Sequence, residues 1–373
     1  MELTLVLVVA LALAFDFTNG FHDSANAVAT SIATKAIRPR VAVAGAAVLN
    51  FAGAFVSLEV AATVGKGIVD PSAVTLGVIM AGLSGAIAWN LTSWRLGLPT
   101  SSSHALIGGV AGAAIAASGL GIVNWTGLKD KVMIPSLAAP VAGLAIAGGL
   151  AFLLLRIVRR RDPEKVGRIA RRGQLISASF VAFTHGTNDA QKTMGVIALA
   201  LVAGQPASEF HVPLWVMLSA AAAMAAGTYV GGWRIIRTLG TRLTELSPVQ
   251  GFAAETSTAA ILWSTAHLGF PVSTTHTISG SVLGAGAAGR QRVGWVVARN
   301  IGVAWLVTIP AAALTGALLV SIERLPAGPV LVAALTAAMG LIAWRSRERP
   351  PEAPPAPPAA ATAVAPPPAP VRS

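Results

Sequence analysis

The chain has 373 residues, 54% of them hydrophobic and only 11% charged, with a net charge of +12. A soluble domain carries about 25% charged residues, so a soluble enzyme, a nucleic-acid binder and a secreted disulfide scaffold are all poor readings. With no cysteine in the sequence, disulfides, thiol chemistry and Cys-ligated metals are excluded. The positive surplus in so apolar a chain reads as membrane topology.

The opening Met1-Glu2-Leu3-Thr4 has no basic region ahead of its apolar run, so it reads as a first transmembrane segment rather than a cleaved leader. That run, 3–34, carries an interruption around 16–26. Segments 41–64, 74–94, 103–118 and 132–157 follow, then a basic loop over 156–173. Beyond it lie 174–203, interrupted around 184–193, and then 213–236, 251–267, 276–289, 293–320 and 329–344. A crossing helix needs about 20 apolar residues. Segments 103–118 and 276–289 are short and predict re-entrant or short helical hairpins. The pattern is that of an all-α polytopic membrane protein with about eleven apolar segments. From Pro350 onward ten of 24 residues are Pro, which predicts an extended, disordered tail over 346–373.

The charges sort by position. Threading the chain from an outside N-terminus puts 20 basic residues on one face, among them Lys35, Arg38, Arg40 and the cluster from Arg156 to Arg172. Only Lys66, Lys129, Lys131 and Arg324 fall on the other. This asymmetry predicts a multi-pass protein of the plasma (inner) membrane with a cytoplasmic tail.

The sequence also repeats itself. Phe17-Thr18-Asn19-Gly20-Phe21-His22-Asp23-Ser24 matches Phe183-Thr184-His185-Gly186-Thr187-Asn188-Asp189-Ala190. Gly97-Leu98-Pro99-Thr100-Ser101-Ser102-Ser103-His104 matches Gly269-Phe270-Pro271-Val272-Ser273-Thr274-Thr275-His276. The offsets of 166 and 172 keep both elements in order, dividing the chain into repeats 1–155 and 174–345. The threading gives the two halves opposite orientations. Inverted repeats with discontinuous helices and a midplane site are the architecture of many secondary transporters.

Acidic residues inside apolar segments carry the sharpest signal, because a carboxylate at a helix centre costs about 2.5–3.5 kcal/mol. Asp23 and Asp189 lie on the repeated motif and are the candidate seats of a coupling ion or proton. Glu255 is a further coupling candidate, whereas Asp16 and Glu59 fit an interfacial or packing role equally well. The hydroxyl runs Ser101, Ser102, Ser103 and Ser273, Thr274, Thr275 follow a Gly-x-Pro turn and so open helices. Free N–H groups and the helix dipole there attract an anion, although each run also reads as a plain N-cap. His22 and His185 flank the Asp motifs as candidate proton relays, while His104 and His276 can equally tie their hairpins together. No zinc-binding His spacing, no phosphate-binding Gly-rich loop and no nucleophile–base pair occurs, so no cofactor and no enzymatic step are expected.

These motifs, with Gly251-Phe252-Ala253-Ala254-Glu255, resemble the PiT family of inorganic phosphate transporters over residues 10–320. The forms Asn19–Ala27 and His185–Lys192 resemble its bacterial low-affinity branch. The resemblance implies a dimeric symporter importing inorganic phosphate, free or as a divalent metal (for instance Mg) complex, coupled to protons or, second, to sodium. It implies phosphate held between Asp23/Asn26, Asn188/Asp189 and the two hydroxyl runs, with Gln191 a further donor. Lys192 stands where many sodium-coupled members have Asn, and His22 departs in the same direction. Both departures favour proton coupling. A sulfate symporter of the same fold is the runner-up, and a channel or an intramembrane phospholipid enzyme fits less well.

Overall fold

The computed structural model describes residues 3–71, 74–204 and 209–346. The expected tail lies, beyond Ser346, outside them. The described chain is built from helices: α1 (Leu3–Ala33), α2 (Pro39–Gly53), α3 (Glu59–Lys66), α4 (Leu76–Leu96) and α5 (Ser102–Ser118). A single turn, α6 (Trp125–Gly127), winds through a wide π turn into α7 (Ile134–Val158). The second half holds α8 (Pro163–Gly204), α9 (Leu214–Val230), α10 (Trp233–Arg237), α11 (Pro248–His267), α12 (Thr274–Ala288), α13 (Trp295–Glu323) and α14 (Gly328–Arg345).

Three sequence expectations need correction. The interruptions predicted around 16–26 and 184–193 are absent, since α1 and α8 run straight through them. Their polar side chains bond across to other helices, so the backbone ladder is left intact. The predicted basic loop over 156–173 is mostly helix: α7 ends at Val158 and α8 begins at Pro163. Arg, Lys and Glu are good helix formers, and Asp162 followed by Pro163 is a start signal. The Asp162 carboxylate accepts the Glu164 N–H at 2.9 Å. Segment 41–64 is two helices, broken between Gly53 and Glu59.

Every apolar segment carries a helix, but not every helix can cross a membrane alone. Five among the described residues are long and apolar enough to cross a membrane: α1, α4, the run Trp125–Val158, α13 and α14. A sixth would be α9 joined to Trp233–Arg242, bent by 60°. Helices α2, α5 and α12 have only 15, 17 and 15 residues, and α8 and α11 carry polar motif residues that lower their hydropathy.

Helices at equivalent repeat positions exchange partners. Helix α1 packs on α9 while α8 packs on α2, and α5 packs on α13 while α12 packs on α7. The crossings rest on glycines. A Cβ added to Gly20 would lie 2.2 Å from the Met224 carbonyl oxygen, and one on Gly186 would lie 2.1 Å from that of Asn50. Such approach lets helices pack where lipid offers no hydrophobic drive. Large apolar side chains of α7 and α13, among them Leu137, Phe152, Leu306 and Leu314, stay exposed as an outer belt.

The two hairpins are built alike. Gly97 and Gly269 end α4 and α11 in the left-handed region, at φ +67° and +69°. The next residues, Leu98 and Phe270, donate back to Ser93 and Thr265 carbonyls, each at 2.9 Å. This is a glycine C-cap that turns the chain sharply. Pro99 and Pro271 keep it from re-entering a helix, and Ser101 and Ser273 cap α5 and α12 by accepting the N–H of His104 and His276.

Gly20→Ala and Gly186→Ala are predicted to cost about 1–3 kcal/mol or more through overpacking, read as lost monodisperse protein and a lower Tm. Gly45→Ala is the control, because among the described residues no atom beyond its own stretch of helix lies within 4 Å of the added Cβ. Equal stability of the three variants would contradict the close crossings.

Candidate functional site

The two motif helices and the two hairpin helices meet at one buried place. The rings of His104 and His276, equivalent residues of the two hairpins, are 4.9 Å apart edge to face. His276 stacks on Trp305 at 3.9 Å, and His104 Nε2 lies 2.8 Å from Ser136 Oγ. These histidines tie the hairpin helices to each other and to α7 and α13. The N-termini of α5 and α12 are thereby fixed beside α1 and α8.

Asp23 of α1 is reached from both hairpins. Its Oδ2 lies 2.7 Å from Ser102 Oγ, and its Oδ1 lies 3.3 Å from Thr275 Oγ1. His22 Nδ1 lies 2.7 Å from the same Oδ1, while His22 Nε2 faces Ser93 and Thr100 hydroxyls at 3.1 and 3.3 Å. Asn26 donates to Thr274 and Thr275 Oγ1 at 3.0 and 2.9 Å. Ser102 Oγ also contacts Asn19 Oδ1. A hydroxyl carries one proton, so Ser102 cannot donate to Asn19 and to an ionised Asp23 together. If it serves Asn19, the Asp23 contact requires a proton on the carboxyl.

Asp189 of α8 has a fixed counter-ion. The Lys192 ammonium, one helical turn on, bonds to Asp189 Oδ1, to Ser103 Oγ and to the Val272 carbonyl, which uses its three protons. Asp189 Oδ2 lies 3.4 Å from Thr274 Oγ1. It also lies 3.2 Å from His185 Nε2, which stands outside hydrogen-bond alignment. His185 Nδ1 faces Asn50 Oδ1 at 3.2 Å. That contact needs a proton on Nδ1, so the neutral ring presents a lone pair to the carboxylate. A ligand atom from each of Asp23, His185 and Asp189 lies within 4.8 Å of the others. A cation or shared proton placed there would touch both repeats.

The fold thus brings together His22, Asp23, Asn26, His185, Asp189, Lys192, Ser102, Ser103, Thr274 and Thr275. Ser101 and Ser273 spend their oxygens as N-caps, yet those caps leave the N–H groups of the following residues free of intrahelical partners. Asn188 sits at the margin, donating to the Phe270 carbonyl at 3.4 Å, with its Oδ1 unpartnered among the described residues. Gln191 is placed elsewhere. Its Oε1 accepts the Val60 and Ala61 N–H groups at 2.9 and 3.3 Å, capping α3. Glu255 forms a separate cluster, accepting from Thr30, Gln174 and Ser177 at 2.6, 3.1 and 2.6 Å. Thr30 is seven residues past Asp23, about 10 Å along α1. Glu59 is exposed in the first turn of α3, where its charge suits the helix dipole.

Asp16 is the residue that motif reading undervalued. It is fully buried, and among the described residues neither oxygen meets hydrogen-bond geometry, Thr193 and Asn19 being its polar neighbours. Its signal was a lone acid one face-turn from Asn19 in an apolar run. Asn50 and Ser93, which together with the motif residue Thr100 position the two motif histidines, had no comparable signal.

Residues 19–316 match the profile of the phosphate transporter family. A probable low-affinity inorganic phosphate transporter of Mycobacterium tuberculosis H37Rv is 55% identical over 316 residues, covering 84% of this chain and 76% of the relative. Proteins of the same description from Rhizobium meliloti and Bacillus subtilis are 50% and 44% identical, each over 84% of this chain and 95% of the relative. A solved structure titled the sodium-dependent phosphate transporter has the same fold, with a TM-score of 0.77 at 24% identity over 87% of this chain and 100% of that one. Family and apolar helices together make this a multi-pass membrane protein. The chain belongs to the phosphate transporter family.

Proposed function

We propose that the chain imports inorganic phosphate by proton-coupled symport through two inverted repeats, with Asp23 and Asp189 as the coupling carboxylates. The observation that carries this reading is the junction of both Asp motifs with both hydroxyl-bearing helix N-termini. Phosphate would lie against Ser102, Ser103, Thr274 and Thr275, taking hydroxyl and backbone N–H donors that add no charge. Asn26 and Asn188 would complete its shell.

Charge sets the coupling. Two ionised carboxylates and one ammonium leave the junction at minus one before any anion enters. A phosphate added there is repelled unless protons come with it, since buried uncompensated charge is costly. Two places suit a proton: Asp23 Oδ2 against Ser102, and the gap between Asp189 and His185 Nε2. Protonation admits the anion, and deprotonation on the far side expels it. That difference in affinity links gradient to substrate. The repeats then rock about the site, with the N-terminus outside and the basic face in the cytoplasm.

Lys192 favours protons over sodium. Its ammonium takes a carboxylate, a hydroxyl and a carbonyl oxygen, the hard donors that a sodium ion would need. No chemical transformation of phosphate is assigned to any residue.

Asp23→Asn and Asp189→Asn should each reduce concentrative uptake of labelled phosphate in proteoliposomes to that of empty vesicles, with normal membrane insertion. Retained accumulation in either variant would remove that carboxylate from coupling. Wild-type uptake should proceed in sodium-free buffer under an imposed proton gradient, and strict sodium dependence would sink the assignment of Lys192. Excess unlabelled sulfate should leave phosphate uptake unchanged; competition at matching concentrations would favour the sulfate reading.

A further inference from the structure

The dense basic segment between the repeats takes no part in the site. Residues 156–172 contain eight Lys or Arg side chains against Asp162 and Glu164. None of the eight is in an ion pair among the described residues. Asp162 is occupied in capping α8. The basic charges therefore outnumber their local acids on a helical hairpin, with Asp162 lining the same groove as Arg160, Arg161 and Lys165.

That hairpin borders a groove of about 640 Å³ between the end of α7, the start of α8 and α11. Arg160, Arg161 and Lys165 line one part, and Val158, Ile169 and Phe252 line another. The volume lies within the about 300–1,000 Å³ of small-molecule sites. The groove opens where the apolar run Trp125–Val158 ends. Nearby Leu153, Ile157 and Ile176 are exposed, so its apolar part continues the outer hydrophobic belt. A soluble anion would find the charges but have no use for those walls. A neutral lipid would find the walls but leave the charges unmatched.

We infer that this groove binds one anionic phospholipid, its headgroup phosphate on Arg160, Arg161 and Lys165 and its acyl chain along Val158, Ile169 and Phe252. Basic pockets at the ends of transmembrane helices hold such headgroups. The site also touches the transport machinery. Gly173 meets the Phe252 ring, with a Cβ there only 3.1 Å from it, and the next residue, Gln174, donates to Glu255 at 3.1 Å. A lipid seated in the groove braces α8 against α11 at the level just below Glu255.

The test is binding of phosphatidylglycerol, with phosphatidylcholine for comparison, to the purified full chain, read by native mass spectrometry and by Tm. The wild type should retain phosphatidylglycerol selectively and gain Tm from it. Each basic residue near a membrane surface is worth roughly a severalfold change in affinity, so Arg160→Gln/Arg161→Gln/Lys165→Gln should weaken binding about a hundredfold. Ile169→Trp, at a position 69% exposed and tolerant of bulk, should also weaken it by filling the apolar wall while leaving every charge. Lys129→Gln/Lys131→Gln, remote on the chain, should bind as the wild type does. Unchanged affinity in the triple variant, or in Ile169→Trp, would overturn the site. Displacement of the lipid by equimolar glycerol phosphate would also overturn it, by showing a soluble-anion site instead.

Discussion

Two carboxylates meeting in an apolar interior must be compensated, and the way this chain does so governs the rest. Lys192 neutralises Asp189 and nothing equivalent serves Asp23, because the matching position in the first repeat is Asn26. The pairing is therefore lopsided inside an otherwise paired framework. Asp189 is held by a permanent cation, with the His185 ring facing its second oxygen. Asp23 is held by hydroxyls and by His22. An ion pair so deeply buried is weak support for stability, so its value is better sought in function. It gives one carboxylate a permanent counter-ion and leaves the other to hydroxyl and imidazole partners.

The framework that presents these groups depends on small residues. Gly20 and Gly186 allow α9 and α2 to cross α1 and α8 at the motif itself. Equivalent glycines, Gly97 and Gly269, turn each hairpin so that a hydroxyl-capped helix start points into the interior. The motif glycines and the motif acids thus belong to one construction. The glycines set the backbone distances, and the acids occupy the space those distances define. Contact between His104 and His276, equivalent in sequence, marks where the two copies meet.

Much of this was legible in the sequence. Two spaced motifs located the meeting point, and Gly-x-Pro-x-Ser specified a turn followed by a capped helix start. Lys192 stood out through the family resemblance, as the cation that breaks the symmetry with Asn26. Other features were hidden because they depend on packing. Continuity of α1 and α8 through their polar stretches required knowing that Thr275, Ser102 and Asn50 would supply partners from elsewhere. Gln191 looked like a ligand donor next to Asp189, yet one face away it caps α3, more than a hundred residues earlier. Glu255 was read as part of one coupling set, but the chain wraps it in its own three donors. The helical hairpin at 156–173 is signalled by Asp162-Pro163, inside a run whose charge density equally suits a solvated loop.

The central claim is that protons enter with phosphate at the Asp23–Asp189 junction without sodium. Its most direct test is lumenal pH in sodium-free proteoliposomes loaded with a pH dye, followed as phosphate is added outside at matched pH. The account predicts lumenal acidification that tracks phosphate entry. Phosphate entry with no proton movement, or none at all until sodium is supplied, would contradict it.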